Sequence, residues 1–152
     1  MAPLIVMLAV CVVARTLGGT GVWLAVDSWR DALRIGLAGM FVFTAMSHFI
    51  PRTRTDLIRM VPASVPAASL LVTATGLLEL TGAVALLIPQ ARPAAAYGLI
   101  ALLVAMFPAN VHAARKALVI AGRPAMPLVW RLPLQVFWIA ALWWVRSPTR
   151  TL

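Results

Sequence analysis

Charge is scarce in this chain. Charged residues make up only 11% of the 152 residues, and four acidic side chains stand against thirteen basic ones. A soluble domain is ordinarily about 25% charged and about 45–50% apolar. Here 62% is apolar and mean hydropathy is +0.96. A soluble domain of this size could not hide that much apolar surface, which excludes a water-soluble globule and a disordered chain. Cysteine occurs once, as Cys11 within an apolar run. That excludes an intrachain disulfide framework, a Cys-x-x-Cys dithiol and a cysteine zinc site. Histidine occurs twice, at His48 and His112, without the spacing of a metal signature such as His-Glu-x-x-His. Haem or copper ligation by this pair is the weaker reading, and hydrogen bonds to headgroups or backbone the plainer one; no metal is assigned.

What is present is a set of long apolar runs punctuated by arginine. The net charge of +9 would also suit a nucleic-acid binder. The cations, however, do not gather on one amphipathic face. They fall between the runs, where membrane loops meet anionic headgroups. The partner read from this pattern is the lipid bilayer, not nucleic acid.

Five runs reach the length of a spanning helix, about 20 apolar residues. They cover residues 4–26, 32–50, 67–88, 94–114 and 129–145. Pro51, Pro66 and Pro89 stand at their borders, and Trp23, Trp29, Trp143 and Trp144 lie near their ends. The first run is read as a span, not a signal peptide, because no basic side chain precedes it and Arg15 interrupts it. Arg15 could pair with Glu79, face a polar cavity or snorkel from a tilted helix. Continuous runs without strand-like alternation select helices over a barrel. The expected architecture is a single all-α transmembrane bundle.

Five crossings place residues 51–65 and 115–131 on one side. That side carries Arg52, Arg54, Arg59, Arg115, Lys116, Arg123 and Arg131; the other carries Arg30, Arg34, Arg92, Arg146 and Arg150. Seven cations against five slightly favour a cytoplasmic N-terminus. The segment Asp56–Met60 is expected to form a short interfacial helix.

Glu79 is the most informative residue. It lies mid-span in Gly76-Leu77-Leu78-Glu79-Leu80-Thr81-Gly82, with glycines three positions before and after it. Those glycines allow another helix to come close to the carboxyl's face. A carboxyl at that depth must be protonated or paired with a cation. Its functional reading is a proton donor or acceptor, or a ligand anchor; its structural reading is an interhelical hydrogen bond. His48, Asn110, His112 and Gln135 are expected near one membrane surface around the mouth of the bundle, with Thr44 one turn back from His48 on the same helix face. Glu79 should lie deeper, some 13 residues beyond Pro66, or about 20 Å along a helix. Pro108 removes a backbone hydrogen bond, which would let a freed carbonyl and Asn110 bond across helices. Asn110 and His112 are two residues apart and cannot share one face of a regular helix.

With those residues in place, the chain resembles the DoxX-like family of small membrane proteins. The likeness runs over residues 32–146. It is carried by Phe41-Val-Phe-Thr-Ala-Met-Ser-His-Phe49, Met60-Val-Pro62, Thr75-Gly-Leu-Leu-Glu-Leu-Thr-Gly82, Phe107-Pro-Ala-Asn110 and Arg131-Leu-Pro-Leu-Gln135. It implies a four-helix core, to which residues 4–26 add a helix in front. It also implies a setting in a bacterial inner membrane and association with quinone-linked oxidation and redox complexes. The family's thiol chemistry does not carry over to a chain with one cysteine.

Two functions follow. The first is a redox-associated or accessory subunit that binds a lipophilic small molecule such as a quinone around Glu79 and docks a redox partner protein. In it Thr44, Asn110 and Gln135 help hold the ligand, whose identity as a cofactor is unknown. The second is a membrane-embedded acid–base enzyme, an isomerase or cyclase acting on an apolar substrate. In it Glu79 works with His48 or His112 as proton donor and acceptor. A transporter is a third reading, for which 152 residues and one buried acid are little material.

Overall fold

A computed structural model describes residues 2–20, 26 and 28–147. Among the described residues six helices follow one another: α1 (Ala2–Gly19), α2 (Trp29–Ser47), α3 (Pro51–Met60), α4 (Ala68–Leu87), α5 (Arg92–Arg115) and α6 (Leu128–Val145). A two-residue-per-strand hairpin, β1 (Val119–Ile120) and β2 (Arg123–Pro124), lies between α5 and α6. Helices α2, α4, α5 and α6 pack in a closed ring, each on the next, and α1 lies outside the ring against α2. The fold is thus an all-α bundle of four core helices with one more in front.

Among the described residues four helices (α1, α4, α5 and α6) are long and apolar enough to cross a membrane, and α2 and α3, bent by 90° at the break between them, pass the same test when taken together. The chain is a membrane protein by this measure. Its outward faces agree: Leu8, Val12, Leu77, Val84, Val104 and Val136 are each about half exposed or more, while Leu37, Phe41, Leu86, Leu99 and Leu142 are fully enclosed. Apolar side chains on the outside need lipid as solvent.

Glycines set the closest helix contacts. Gly36 lies against the Met7 carbonyl and Cys11, Gly39 against Val10, and Gly82 against Leu99. Without a Cβ, these positions let backbones approach as tightly as lipid-embedded packing requires.

Several expected boundaries shift. The first span ends at Gly19; its remainder, residues 21–25 with Trp23, lies outside the described residues. Arg15 is therefore in the last turns of α1, where its guanidinium lies over the Trp29 ring, 5.6 Å from the centroid. It does not pair with Glu79, since it belongs to the opposite end of the bundle. The second span starts three residues earlier than expected and stops three earlier. Ser28 caps it by accepting from the Asp31 backbone N–H at 3.1 Å. Asp31 and Arg34 thus lie inside the helix and are buried, so Arg34 is no loop cation.

The short helix expected at Asp56–Met60 is present as α3 and starts five residues earlier, with Pro51 in its first turn. The following connection covers it. Ala121 and Gly122, both with positive φ, make the two-residue turn of the hairpin. The Ala121 backbone N–H donates to Asp56 Oδ2 at 2.8 Å, which fixes hairpin to helix. Helix α3 and the hairpin roof one end of the bundle.

Candidate functional site

The site grows from one face of α4. Residues Val72, Thr75, Gly76 and Glu79 fall three or four apart and line up on the side facing α2. His48, the residue that caps the C-terminus of α2, lies along this face. Its Nδ1 is 2.8 Å from the Val72 carbonyl and 3.2 Å from the Thr75 hydroxyl. Its Cβ sits directly over Gly76, and its Nε2 reaches to 3.7 Å from Glu79 Oε2.

His48 was expected at the mouth and Glu79 well below it; in the structure they meet. The reason lies in the stagger of the helices. Helix α2 stops at a level two turns inside α4, and α3 turns away there, with Arg54 filling the step. Arg54 donates to the His48 carbonyl at 3.0 Å, to the Ser69 carbonyl and hydroxyl at 3.0 and 2.9 Å, and to the Thr73 hydroxyl at 3.0 Å. One guanidinium thereby clamps the end of α2 to the first turns of α4. Replacing Arg54 with methionine is expected to cost about 1.5–3 kcal/mol, the worth of a hydrogen bond to a charged group. Hydrogen exchange should show it as faster exchange of the amides of residues 51–60.

Glu79 is 4% exposed, and its Oε2 has no hydrogen-bond partner among the described residues. The Thr44 hydroxyl, which donates to the Phe41 carbonyl at 3.1 Å, also sits beside the carboxyl. Arg131, three residues into α6, is the cation whose charge acts on it. Arg131 Nη2 donates to Asn110 Oδ1, while its Nε is buried without a partner among the described residues. Asn110 in turn donates to the Met106 carbonyl at 3.2 Å. Gln135, one turn beyond Arg131 on the same face of α6, donates to the Leu103 carbonyl at 2.8 Å. The expected cross-helix bonding of Asn110 is present, since it accepts from Arg131 of α6; Gln135 donates to the Leu103 carbonyl and not to the Val104 carbonyl that Pro108 frees.

Of the six residues expected at the site, Thr44, His48 and Glu79 come together directly. Asn110 joins them through Arg131, and Gln135 borders them on α6. His112 does not belong. Its Nδ1 lies 2.9 Å from the Met60 carbonyl, so it secures the end of α3 and not the carboxyl. The 200° between Asn110 and His112 on α5 sends them to different neighbours. Arg131 went unrecognised as a site residue because it looked like a loop cation. Its signal was present, in that an arginine four residues before a glutamine inside an apolar helix must face a polar interior.

The hydrogen bonds restrict the protons. A carbonyl oxygen only accepts, so His48 Nδ1 carries the hydrogen that meets Val72. Nε2 is then an acceptor on a neutral imidazole or a second donor on an imidazolium, and the Glu79 carboxyl beside it is an acceptor when ionised and a donor when protonated. At 3.7 Å the two atoms do not bond each other. A third oxygen about 2.8 Å from each would bridge them. Among the described residues no three His, Cys, Asp or Glu side chains gather as a metal ion would require.

Residues 37–146 match the model of a family described as a domain of unknown function (DUF8561). The chain belongs to that family. The DUF8561 match spans 110 of 152 residues and includes Thr44, His48, Glu79, Asn110, Arg131 and Gln135. It begins within α2, so α1 lies before it. No curated protein and no solved structure matches the chain.

Proposed function

We propose that the protein binds the polar head of a lipophilic small molecule, such as a quinone, in the membrane between α2, α4 and α6. The observation that carries this reading is the buried Glu79–His48 pair, 3.7 Å apart, with one carboxyl oxygen unpartnered among the described residues. A quinone carbonyl accepts hydrogen bonds and a hydroquinone hydroxyl donates them. The pair offers a donor in one proton arrangement and an acceptor in the other. Arg131 supplies positive charge beside it, and Thr44 a hydroxyl. The resemblance to DoxX-like proteins supports a role beside a redox complex in a bacterial inner membrane, with a partner protein supplying electrons.

The test is titration of the full chain in nanodiscs with a short-tailed benzoquinone, read by tryptophan fluorescence. Saturable binding of one molecule per chain is expected. His48→Gln should weaken it at least about tenfold, or about 1.4 kcal/mol, while His112→Gln leaves it unchanged. Absence of saturable binding, or equal effects of the two substitutions, sinks the proposal.

The buried acid beside an imidazole also favours a second reading, an acid–base enzyme such as an isomerase or cyclase acting on an apolar substrate. There Glu79 and His48 would exchange a proton with the substrate's carbon skeleton. Conversion of an apolar substrate without any electron acceptor, lost in His48→Gln, would select it over the first.

A further inference from the structure

A second polar cluster lies at the other end of the bundle, about 25 Å along α2 from His48. Asp31 and Arg34 come from the first turns of α2, and Arg92 is the first residue of α5. All three are more than nine-tenths buried: Asp31 is 7% exposed, Arg34 5% and Arg92 7%. Arg92 lies within reach of the charges of both α2 residues.

Among the described residues the charges do not balance. The Asp31 carboxylate is already engaged, since it accepts from the Ser28 hydroxyl at 2.6 Å and from Arg34 Nη1. Arg34 Nε, Arg34 Nη2 and Arg92 Nε are left without partners among the described residues. Among the described residues two enclosed guanidiniums thus share one acid, with three nitrogens unmatched. Burying unpaired cations is costly, and an N–H donor deprived of an acceptor adds to that cost. Arg92 compounds it by putting a cation at the positive end of a 24-residue helix. A group with one negative charge and several acceptor oxygens would correct each of these faults. A phosphate has that chemistry, and arginine pairs with it through two parallel hydrogen bonds.

The surroundings place the cluster at headgroup level. Trp29, Tyr97, Trp143 and Trp144 are exposed around this end of the bundle. Arg30 lies over the Trp144 ring, and Arg146 over the rings of Trp143 and Tyr97. Such a rim of aromatic rings marks the membrane–water interface. We infer that Arg34 and Arg92, with Asp31 holding Arg34 in place, bind the phosphate of an anionic phospholipid. The site is independent of the ligand proposed at Glu79.

The experiment compares the full chain in phosphatidylcholine nanodiscs with and without phosphatidylglycerol, by native mass spectrometry after release and by melting temperature. The expected result is one phosphatidylglycerol retained per chain and a higher melting temperature when it is present. Arg92→Gln should weaken retention at least tenfold, and Arg92→Lys should restore part of it. Arg30→Gln, at the rim, should retain the lipid. A graded spread of lipid numbers in the unaltered chain, a reading that needs no variant to fold, would overturn the inference. Equal losses from Arg30→Gln and Arg92→Gln would overturn it too, as diffuse surface charge. Inorganic phosphate alone raising the melting temperature as much as the lipid would show that the site takes soluble phosphate and overturn the lipid assignment.

Discussion

A Gly76→Ala chain should unfold more easily by about 1–3 kcal/mol, the usual cost of overfilling a packed interior, and should lose the contact between His48 and Glu79. An added Cβ would fall 2.6 Å from His48 Cβ, 2.9 Å from His48 Cγ and 3.2 Å from Phe49 Cε2. His48 Cβ is bonded to the backbone and cannot rotate away. The end of α2 must therefore move, against the four hydrogen bonds of Arg54 that fix it. Two other glycines give the contrast. At Gly82 the obstructing atoms are the outer carbons of Leu99, which a change of rotamer could shift at lower cost. At Gly98 nothing lies within 4 Å, so alanine there should be neutral or stabilising by up to about 1 kcal/mol through helix propensity. Denaturant titration in detergent micelles, with quinone titration alongside, checks all three. A Gly76→Ala chain as stable as Gly98→Ala would show that α2 and α4 are not as close as described.

Glu79→Gln keeps the size of the side chain and removes its charge and its exchangeable proton. The benzoquinone affinity is expected to fall at least about tenfold. Stability should fall by about 1–3 kcal/mol, because Arg131 loses its acid. The coupling to Arg131 can be measured in a double-mutant cycle. Arg131→Gln alone leaves the carboxyl without its cation, and Glu79→Gln alone leaves the cation without its acid. The double substitution removes both faults together. It should be less destabilising than the sum of the singles by about 0.5–3 kcal/mol. Exact additivity would mean that the two side chains do not sense each other, and the site would then reduce to Glu79, His48 and Thr44.

Much of this arrangement was readable before any coordinates. Proline borders, tryptophan ends and run lengths located α4, α5 and α6 to within two residues, because a lipid environment forces apolar composition and helical closure on every crossing segment. Gly76 and Glu79, one turn apart, foretold a close neighbour at the carboxyl. The order of charges hid more. Arg131 and Arg34 stand at the edges of apolar runs and looked like loop cations, but both lie within helices and turn inward. His48 and His112 looked equivalent, each near a helix end on the same side.

Composition alone decided the solvent, since no soluble packing could cover so much apolar surface. The presence of one acid at mid-depth followed from the position of Glu79 in its run. The choice of that acid's partners belonged to the tertiary structure. The stagger of α2 against α4, set by the break at Pro51 and by Arg54, brings His48 down to Glu79. The rotation of α6 presents Arg131, and the two-residue offset on α5 turns His112 away. Stagger and rotation arise from how whole helices fit side against side, and a linear pattern of apolar residues leaves both open because every register buries nearly the same apolar surface.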